Sequence, residues 1–319
     1  MAQAISSSLR ARATGAGPRP ITIESGVHVA KPKNDPIAST DLVEFLDTSS
    51  DFAFELACFE RISQIGFRCQ HGGSYVDPVT KKARQFDIRA QQDDDRQLLR
   101  VRCAIECKNL TDSFPLLVMC VPRAREESFH ELVFSFDPHD LPPKNIADVP
   151  AFRKTCKVIR IGDDRSEYKA RSPVGKSLAQ VGRANDRTLV ANDAEVFEKW
   201  SQALASASDL ADAAARDGQK HQTAFISLVL PMLVVPNGTL WKVDYCENGA
   251  RNGDPVKVDR CSFFIGRDYE AGDRMTGASL KISHLEFVTL SGLEALTRSI
   301  FSSGNSWFPP IDTITMLLK

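Results

Sequence analysis

Three carboxylates and one lysine stand in stretches of this sequence that otherwise have the pattern of apolar helix and strand. Glu106 and Lys108 are two residues apart, so on a strand they project from the same face, about 6.6 Å apart along it. Asp87 belongs to the preceding predicted strand, and antiparallel pairing can bring the two polar faces level. With Glu55 from a neighbouring helix, we expect the four side chains to converge on one spot.

Carboxylates this close repel one another and raise one another's pKa unless a cation lies between them. Mg²⁺ suits such a position because it accepts one or two protein carboxylates together with waters and the phosphate oxygens of a substrate. Mn²⁺ is an alternative to Mg²⁺. A metal-bound water is a candidate nucleophile. Lys108 is then placed to orient or deprotonate that water, or to neutralise negative charge that develops on the phosphoryl group.

The helix that carries Glu55 is predicted from four apolar residues at helical spacing, Phe52, Leu56, Phe59 and Ile62. Gly66 follows as a stop signal. At 100° per residue, Glu55 falls inside the apolar stripe, where a free carboxylate is expensive. A carboxylate in a salt bridge to a neighbouring basic side chain is an equally good interpretation of Glu55.

Strands are predicted for "FRCQHGGSY" and "RQFDIRA", joined by the polar turn "VDPVTKK", and for "FPLLVMCVPR". Between "RQFDIRA" and "FPLLVMCVPR", the segment "LLRVRCAIECKN" alternates between two sets of side chains with a period of two residues, which is typical of a strand. Its apolar face carries Leu99, Val101, Cys103, Ile105 and Cys107, and its other face carries Arg100, Arg102, Ala104, Glu106 and Lys108. A polar strand face in contact with water would show the same alternation, which is the alternative for Glu106 and Lys108.

The second half of the chain has fewer regular signals. Residues 136 to about 190 are rich in Pro, Asp and Lys and are predicted to be irregular. A long helix follows, with Asn192 as its N-cap and Glu195 completing a capping box. The Asn237-Gly238 pair predicts a β-hairpin, and Pro231 in its first strand indicates a bulge or an edge position. Further strands near 256–265 and 280–290 precede a short helix around 291–302.

In order and context, these residues resemble the PD-(D/E)xK nuclease superfamily, whose fold is restriction-endonuclease-like. The resemblance runs from Glu55 on a helix to Asp87 on a second strand and Glu106-Cys107-Lys108 on a third. "FELACFERISQIGFRC" is similar to the family's first helix running into its first strand, and "RQFDIRA" is similar to its Asp-bearing strand. The resemblance covers about residues 50–121, extended by the helix near 193–217 and the strand near 224–235.

This resemblance implies an α/β fold, with a mixed central β-sheet flanked by helices, a middle insertion and a C-terminal extension. It implies a Mg²⁺-dependent phosphodiesterase, with Asp87 and Glu106 as metal ligands, Lys108 as the catalytic lysine and Glu55 as an accessory ligand. Gln85 stands where many members carry an acid, which argues against a second metal. By analogy the substrate is nucleic acid, DNA being favoured, and a DNA endonuclease of this class suits phage defence. Cutting both strands implies a homodimer or a partner protein.

On this basis the chain divides into five parts. Residues 1–40 form an irregular or disordered tail, 41–135 the first part of the nuclease core, 136–190 the insertion, 191–245 the second part of the core, and 246–319 a β/α extension.

The charge of the chain limits how nucleic acid could bind. The formal net charge is -1, so a phosphate backbone must be met by a local patch. Residues 81–125 hold ten Lys or Arg against six acids. The candidate phosphate contacts are Lys81, Lys82, Arg84, Arg102 and Arg123, with ordinary surface charge as the alternative.

Two other functional classes compete with a nuclease. One is a nuclease-fold protein that has lost catalysis and only binds nucleic acid or protein. The other is a nucleotide-binding protein, because "ARSPVGKS" places Gly175, Lys176 and Ser177 in a loose phosphate-loop pattern, although "DDRSEYKA" before it is too polar for the buried strand such a loop needs.

The cysteines and the hydropathy pattern bear on location. Eight cysteines form no C-x-x-C pair, which favours reduced thiols in a cytoplasmic protein over disulfides or a zinc site. No stretch reaches the roughly 18 apolar residues that a membrane-spanning helix needs. We therefore expect no membrane partner.

Overall fold

The computed structural model describes residues 34–77, 80–94, 98–137, 156–162, 165–270, 279–302 and 306–310. The chain divides into two units, residues 1–42 and 43–319. Of the predicted tail, residues 1–33 lie outside the described residues, and Ser39 already begins a helix.

The described residues form four α-helices and fifteen strands. The helices are α1 (Ser39–Thr48), α2 (Phe52–Gln64), α3 (Ala194–His221) and α4 (Leu290–Ser299). The strands are β1 (Arg68–His71), β2 (Ser74–Val76), β3 (Ala83–Gln85), β4 (Ile88–Asp93), β5 (Leu99–Cys107), β6 (Leu116–Pro122), β7 (Phe129–Ser135), β8 (Cys156–Gly162), β9 (Pro173–Arg183), β10 (Leu189–Ala191), β11 (Phe225–Val235), β12 (Leu240–Tyr245), β13 (Arg251–Lys257), β14 (Arg260–Glu270) and β15 (Ser279–Thr289).

Thirteen of these strands form one mixed sheet. Its main path runs β1-β4-β5-β11-β15-β14-β9-β6-β12-β13, with β10 beside β9, β7 beside β11, and β8 beside β7. β5 pairs antiparallel with β4 but parallel with β11, which also pairs parallel with β15. The predicted α/β fold with a mixed central sheet flanked by helices is therefore confirmed at this level.

The alternation in β5 explains why this strand lies inside the fold. Val101, Cys103, Ile105 and Cys107 pack in one core cluster with residues of α2 and α4, such as Ile62. The opposite face lies under α3, where Ala104 packs in a second cluster with Ala203 and Ala207 of that helix. Glu106 and Lys108 share this second face, as the period of two residues requires.

The helix that carries Glu55 is also confirmed, and Gly66 with φ +99° turns the chain from α2 towards β1. Gly72 and Gly73, which both have positive φ, divide the first of the two strands predicted next into β1 and β2. The second is divided at Phe86 and Asp87 into β3 and β4. A Cβ on Gly73 would lie 2.6 Å from the ring of Phe86, so only glycine fits. β1 consequently pairs with β4, β2 pairs with β3, and Asp87 stands at the bend before β4.

The prediction that residues 136–190 are irregular is wrong for much of that stretch. β8 pairs with β7, and β9 lies in the main sheet between β14 and β6; residues 138–155 lie outside the described residues. The buried side chains Ile159, Ile161 and Val174 show that polar composition concealed strands with buried positions. Of residues 246–319, predicted as a β/α extension, β14 and β15 lie in the same sheet.

The predicted hairpin at Asn237-Gly238 is also wrong. Gly238 makes the expected turn, with φ +83°, but β11 pairs with β5, β7 and β15 while β12 pairs with β6 and β13. Pro231 lies in a central strand, β11. On one side of β11, pairing with β7 ends at Leu228 and pairing with β15 starts at Met232. A residue without an N–H is tolerated in that gap.

α3 is the longest helix described, with 28 residues. It starts one residue later than predicted, with Asp193 as N-cap, and Asn192 Oδ1 accepts a hydrogen bond from Ala194 N at 3.1 Å. Glu195 completes no capping box, because with Asp193 as N-cap it stands at the second helical position; its carboxylate contacts Lys108. Neither α3 nor another helix of the described residues combines the length and apolar character that crossing a membrane requires.

Candidate functional site

A cavity of about 1230 Å³ is lined by residues of α1, α2, β1, β3, the end of β5 and the start of α3. Its charged lining residues are Glu55, Arg84, Asp87, Lys108, Glu195, Glu198 and Lys199. Three of the four residues predicted to act together therefore lie on its wall, and Glu106 is buried directly beside Asp87 and Lys199.

Asp87 is held in place by two hydrogen bonds to its carboxylate. Oδ2 accepts from the backbone N–H of Cys107 at 2.8 Å and from Lys199 Nζ at 2.7 Å. Its own backbone carbonyl accepts from Gly72 N at 2.7 Å, in the glycine turn that separates β1 from β2. The bend before β4 thus fixes an acidic side chain over the end of β5.

Glu106 lies on β5 with 0% of its surface exposed. Neither of its carboxylate oxygens has a hydrogen-bond partner among the described residues, and the ammonium of Lys199 lies 3.8 Å from Oε2. Burial raises the pKa of Glu106 well above its ordinary value; the charge on Asp87 raises it further and Lys199 opposes this. Leaving such a group unbonded costs about 1–3 kcal/mol, and more when it is charged.

A second buried glutamate shows how this fold normally treats such a side chain. Glu286 on β15 is also 0% exposed, but its carboxylate accepts hydrogen bonds from Tyr168 Oη at 2.8 Å and from Arg260 Nε at 2.8 Å. Ser262 Oγ adds a third at 3.1 Å. Glu106 has none of these partners; the carboxylate of Asp87 and the ammonium of Lys199 lie beside it.

Glu55 reaches the wall of the cavity from α2. His71 Nε2 lies 3.4 Å from Glu55 Oε2, so the salt-bridge alternative has a specific partner in His71. The pKa of Glu55 is raised, first by burial and then by the charge on Asp87, while Lys199 and His71 lower it. Glu55 is therefore close enough to Asp87 for the charge of Asp87 to act on it, but its own bond is to His71.

Lys108 lies on the expected face but its ammonium is directed to other acids. Nζ is 3.3 Å from Asp51 Oδ2 and 3.0 Å from Glu195 Oε2. Asp51 also accepts a hydrogen bond from Asn109 N at 2.8 Å, which ties the end of β5 to the start of α2. Lys108 thus lines the cavity without contacting the acidic pair.

The ammonium that does contact Asp87 and Glu106 belongs to Lys199, which the sequence did not identify. Burial lowers the pKa of Lys199, but the negative charges of Asp87 and Glu106 outweigh burial and raise that pKa above its ordinary value. Lys199 stands four residues after Glu195, so both project from one face of α3. In the sequence, the four-residue spacing from Glu195 on a predicted helix was the signal that could have identified Lys199.

The candidate phosphate contacts separate into two groups. Arg84 lines the cavity and pairs with Asp77 at 2.6 Å, while Lys81 and Lys82 are exposed on the turn before β3. Arg102 and Arg123 do not fit the predicted role of phosphate contacts, because their guanidinium groups bond to other groups inside the protein. Arg102 pairs with Asp217 at 2.6 Å, and Arg123 is 4% exposed and donates to Lys169 O at 2.9 Å.

The phosphate-loop interpretation of "ARSPVGKS" is wrong. Residues from Pro173 onwards belong to β9, so the chain is extended where a loop and a helix are required. Gly175 packs between strands, and a Cβ there would lie 2.7 Å from both Phe263 and Val118. Lys176 pairs with Glu127 and lies over the ring of Phe264.

The structure thus offers a pair of carboxylates, Asp87 and Glu106, rather than the expected three. Among the described residues, no group of three or more His, Cys, Asp or Glu side chains is arranged to hold a metal ion. A pair still fits Mg²⁺, which typically takes one or two protein carboxylates and fills its other positions with water and phosphate oxygens. Compared with known protein-family models, with curated proteins and with solved structures, this chain matches none.

Proposed function

We propose that the cavity is the active site of a metal-dependent phosphodiesterase that hydrolyses nucleic acid, with Asp87 and Glu106 as ligands of Mg²⁺ or Mn²⁺. The observation that carries this proposal is the fully buried carboxylate of Glu106, whose oxygens lack hydrogen-bond partners beside a second acid. A cation completes the bonding of both groups. The charge of the cation also offsets the penalty for burying Glu106.

A bound dication supplies positive charge to phosphate oxygens and lowers the pKa of a coordinated water. In the hydrolysis, water adds to phosphorus, the ester P–O bond breaks, and the leaving oxygen takes up a proton. Asp87 is oriented by the Cys107 N–H and lines the cavity. Lys108 and Lys199 line the same cavity and can neutralise charge on a bound phosphate.

The charge balance of the cavity supports a metal requirement. Its lining contains four carboxylates, Glu55, Asp87, Glu195 and Glu198, against three basic side chains, Arg84, Lys108 and Lys199. The lining therefore carries no excess of positive charge for a polyanion. A bound dication would supply that positive charge.

The order of the elements supports a restriction-endonuclease-like core within the larger sheet. α2, β1, β4 and β5 occur in this order along the chain, and the three strands pair antiparallel. Further along the chain, α3 leads to β11, which pairs parallel with β5. Glu55, Asp87 and Glu106 occur on this run in the order that the resemblance to PD-(D/E)xK nucleases implies. The resemblance also favours DNA as substrate, and a homodimer or partner protein for cutting both strands.

A cleavage assay tests the proposal directly. Supercoiled plasmid, single-stranded DNA and RNA are incubated with the full chain in Mg²⁺, in Mn²⁺ and in EDTA. We expect metal-dependent cleavage that Asp87→Ala and Glu106→Gln abolish and that Asp254→Asn, an exposed acid on β13, retains. Cleavage that persists in EDTA or in both site variants contradicts the proposal.

A binding protein without catalysis is the second candidate, and one contact favours it. Lys199 Nζ lies 2.7 Å from Asp87 Oδ2 and neutralises that carboxylate. A protein that binds no metal at this site would need such a counter-ion. Binding of DNA or RNA by fluorescence anisotropy, together with no cleavage in either metal, would establish this candidate in place of the phosphodiesterase.

A further inference from the structure

Lys199 occupies the position between the two acids where a shared cation belongs. Its Nζ lies 2.7 Å from Asp87 Oδ2 and 3.8 Å from Glu106 Oε2, and 19% of its side chain is exposed. Among the described residues, Glu106 has no other ion pair within 4.0 Å. The ammonium is therefore the counter-ion of this pair.

The lysine that the sequence assigned to the site cannot take this role in the observed arrangement. Lys108 is held by Asp51 and Glu195, at 3.3 and 3.0 Å. Two lysines thus line the cavity with separate partners: Lys108 at the junction of β5 with α2, and Lys199 on the acidic pair. Substituting Lys108 and substituting Lys199 should therefore affect the affinity of the site for a metal ion differently.

An ammonium and a dication need the same oxygens. The carboxylates of Asp87 and Glu106 face Lys199 Nζ. A metal ion bound by the same oxygens would lie next to the ammonium, and the two positive charges would repel each other. Lysine is a flexible four-carbon chain with a compact charge, so it can leave the acids by changing side-chain rotamer while α3 stays in place.

We propose that Lys199 is a built-in competitor of the metal ion: it holds Asp87 and Glu106 together in the metal-free protein and is displaced when a divalent cation binds. This inference rests on the proposed metal site. It makes metal affinity a balance between two cations, so the protein keeps its buried acids neutralised without metal and gives them up when a dication arrives.

Removing the ammonium should tighten metal binding. For Lys199→Met we expect the dissociation constant for Mn²⁺ to fall about tenfold, which corresponds to ~1.4 kcal/mol. Lys108→Met should change it less than about twofold, because that ammonium does not contact the acidic pair. Lys242→Met is a matched remote control, since Lys242 pairs with Asp244 at 3.0 Å and its side chain is 21% exposed.

The experiment is isothermal titration of the full-length wild-type protein and its variants with MnCl₂, without nucleic acid. Asp87→Asn identifies the site, since it should abolish the binding. Circular dichroism checks that each variant is folded, and Lys199→Gln replaces Lys199→Met if the latter does not fold. In a parallel melting experiment, Mn²⁺ should raise the Tm of the Lys199 variant more than that of the wild type.

The pattern of results separates this inference from the proposed function. Tighter binding in the Lys199 variant, including binding that appears only in that variant, supports the competition. Wild-type binding that Asp87→Asn abolishes but that the Lys199 variants leave unchanged or weaken overturns the inference and leaves the metal site intact. No binding in wild type or in any variant overturns both.

Discussion

The carboxylate of Asp87 accepts a hydrogen bond from the backbone N–H of Cys107, with 2.8 Å between Oδ2 and N. This single bond joins the bend before β4 to the end of β5, the next residue after Glu106. An acid at a bend would otherwise point to solvent, where it could be far from Glu106. The tie instead places both carboxylates beside one ammonium, so the spacing of the acids depends on backbone geometry.

Substitutions of Asp87 should separate its charge from its structural bond. Asp87→Asn keeps an oxygen acceptor for Cys107 N–H but removes the negative charge. We expect metal-dependent cleavage to fall at least about 100-fold. The free energy of unfolding, measured by urea denaturation, should change by less than about 1 kcal/mol.

Asp87→Ala should lower that free energy by about 1–3 kcal/mol, because the amide of Cys107 and the ammonium of Lys199 both lose an acceptor. Full cleavage activity in Asp87→Asn would show that Asp87 is not a metal ligand.

The two fully buried glutamates should respond in opposite ways to an apolar replacement. Glu106→Met removes a carboxylate without hydrogen-bond partners and leaves Lys199 paired with Asp87, so the metal-free protein should become about 1–3 kcal/mol more stable. Glu286→Met removes the acceptor of Arg260 and Tyr168 and should cost about 3–5 kcal/mol. Chemical denaturation in EDTA measures both.

Loss of stability in Glu106→Met comparable to that in Glu286→Met would mean that Glu106 serves the fold. A gain in stability together with loss of metal binding would instead mean that the site is maintained for function at the expense of stability.

Stability should fall as the pH is lowered, because His130 is buried as the neutral form. The pKa of His130 is lowered to about 4, chiefly by burial; the bond to Trp307 O opposes this shift and the charge of Lys169 adds to it. Between an ordinary value near 6.5 and about 4, the unfolded chain binds a proton that the folded chain excludes. Stability is therefore retained above about pH 6.5 and lost as pH falls towards 4, at up to about 1.4 kcal/mol per pH unit.

His130→Gln should reduce this slope in urea denaturation between pH 4.5 and 6.5. His284, whose pKa burial lowers to about 2, should contribute to the slope in the same direction. An unchanged slope in His130→Gln would contradict the assignment.

Arg102 should prove structural. Asp217 accepts from Arg100 at 2.7 Å and from Arg102 at 2.6 Å, with 4% of its side chain exposed. Asp217→Ala leaves two buried guanidinium groups without this partner, so it should cost about 3–5 kcal/mol of stability. On the same helix, Asp212 forms a half-exposed pair with Arg216, and Asp212→Ala should cost less than about 0.5 kcal/mol.

In cleavage assays at a temperature where both variants are folded, Asp217→Ala should match the wild type. A specific loss of nucleic-acid affinity, with little change in stability, would restore the phosphate-contact role of Arg102.

The local sequence pattern was sufficient to predict features that depend on a single helix or strand. The alternation from Leu99 to Cys107 determined which side chains of β5 face which layer, and Gly66 determined where α2 ends. The order of Glu55, Asp87 and Glu106 along the chain also indicated which acids to compare. These properties depend on periods of two or 3.6 residues, which are written in neighbouring positions.

Only the tertiary structure decided which groups meet. Asp87 and Lys199 are 112 positions apart, and the partners of β11 and β12 lie in distant parts of the chain. A turn at Gly238 is readable from two residues, but strand pairing is chosen by the burial of whole faces. The orientation of Lys108 was decided in the same way, because Asp51 and Glu195 come from separate helical segments. A sequence pattern determines the face of an element; packing against remote segments determines the partner of each charge.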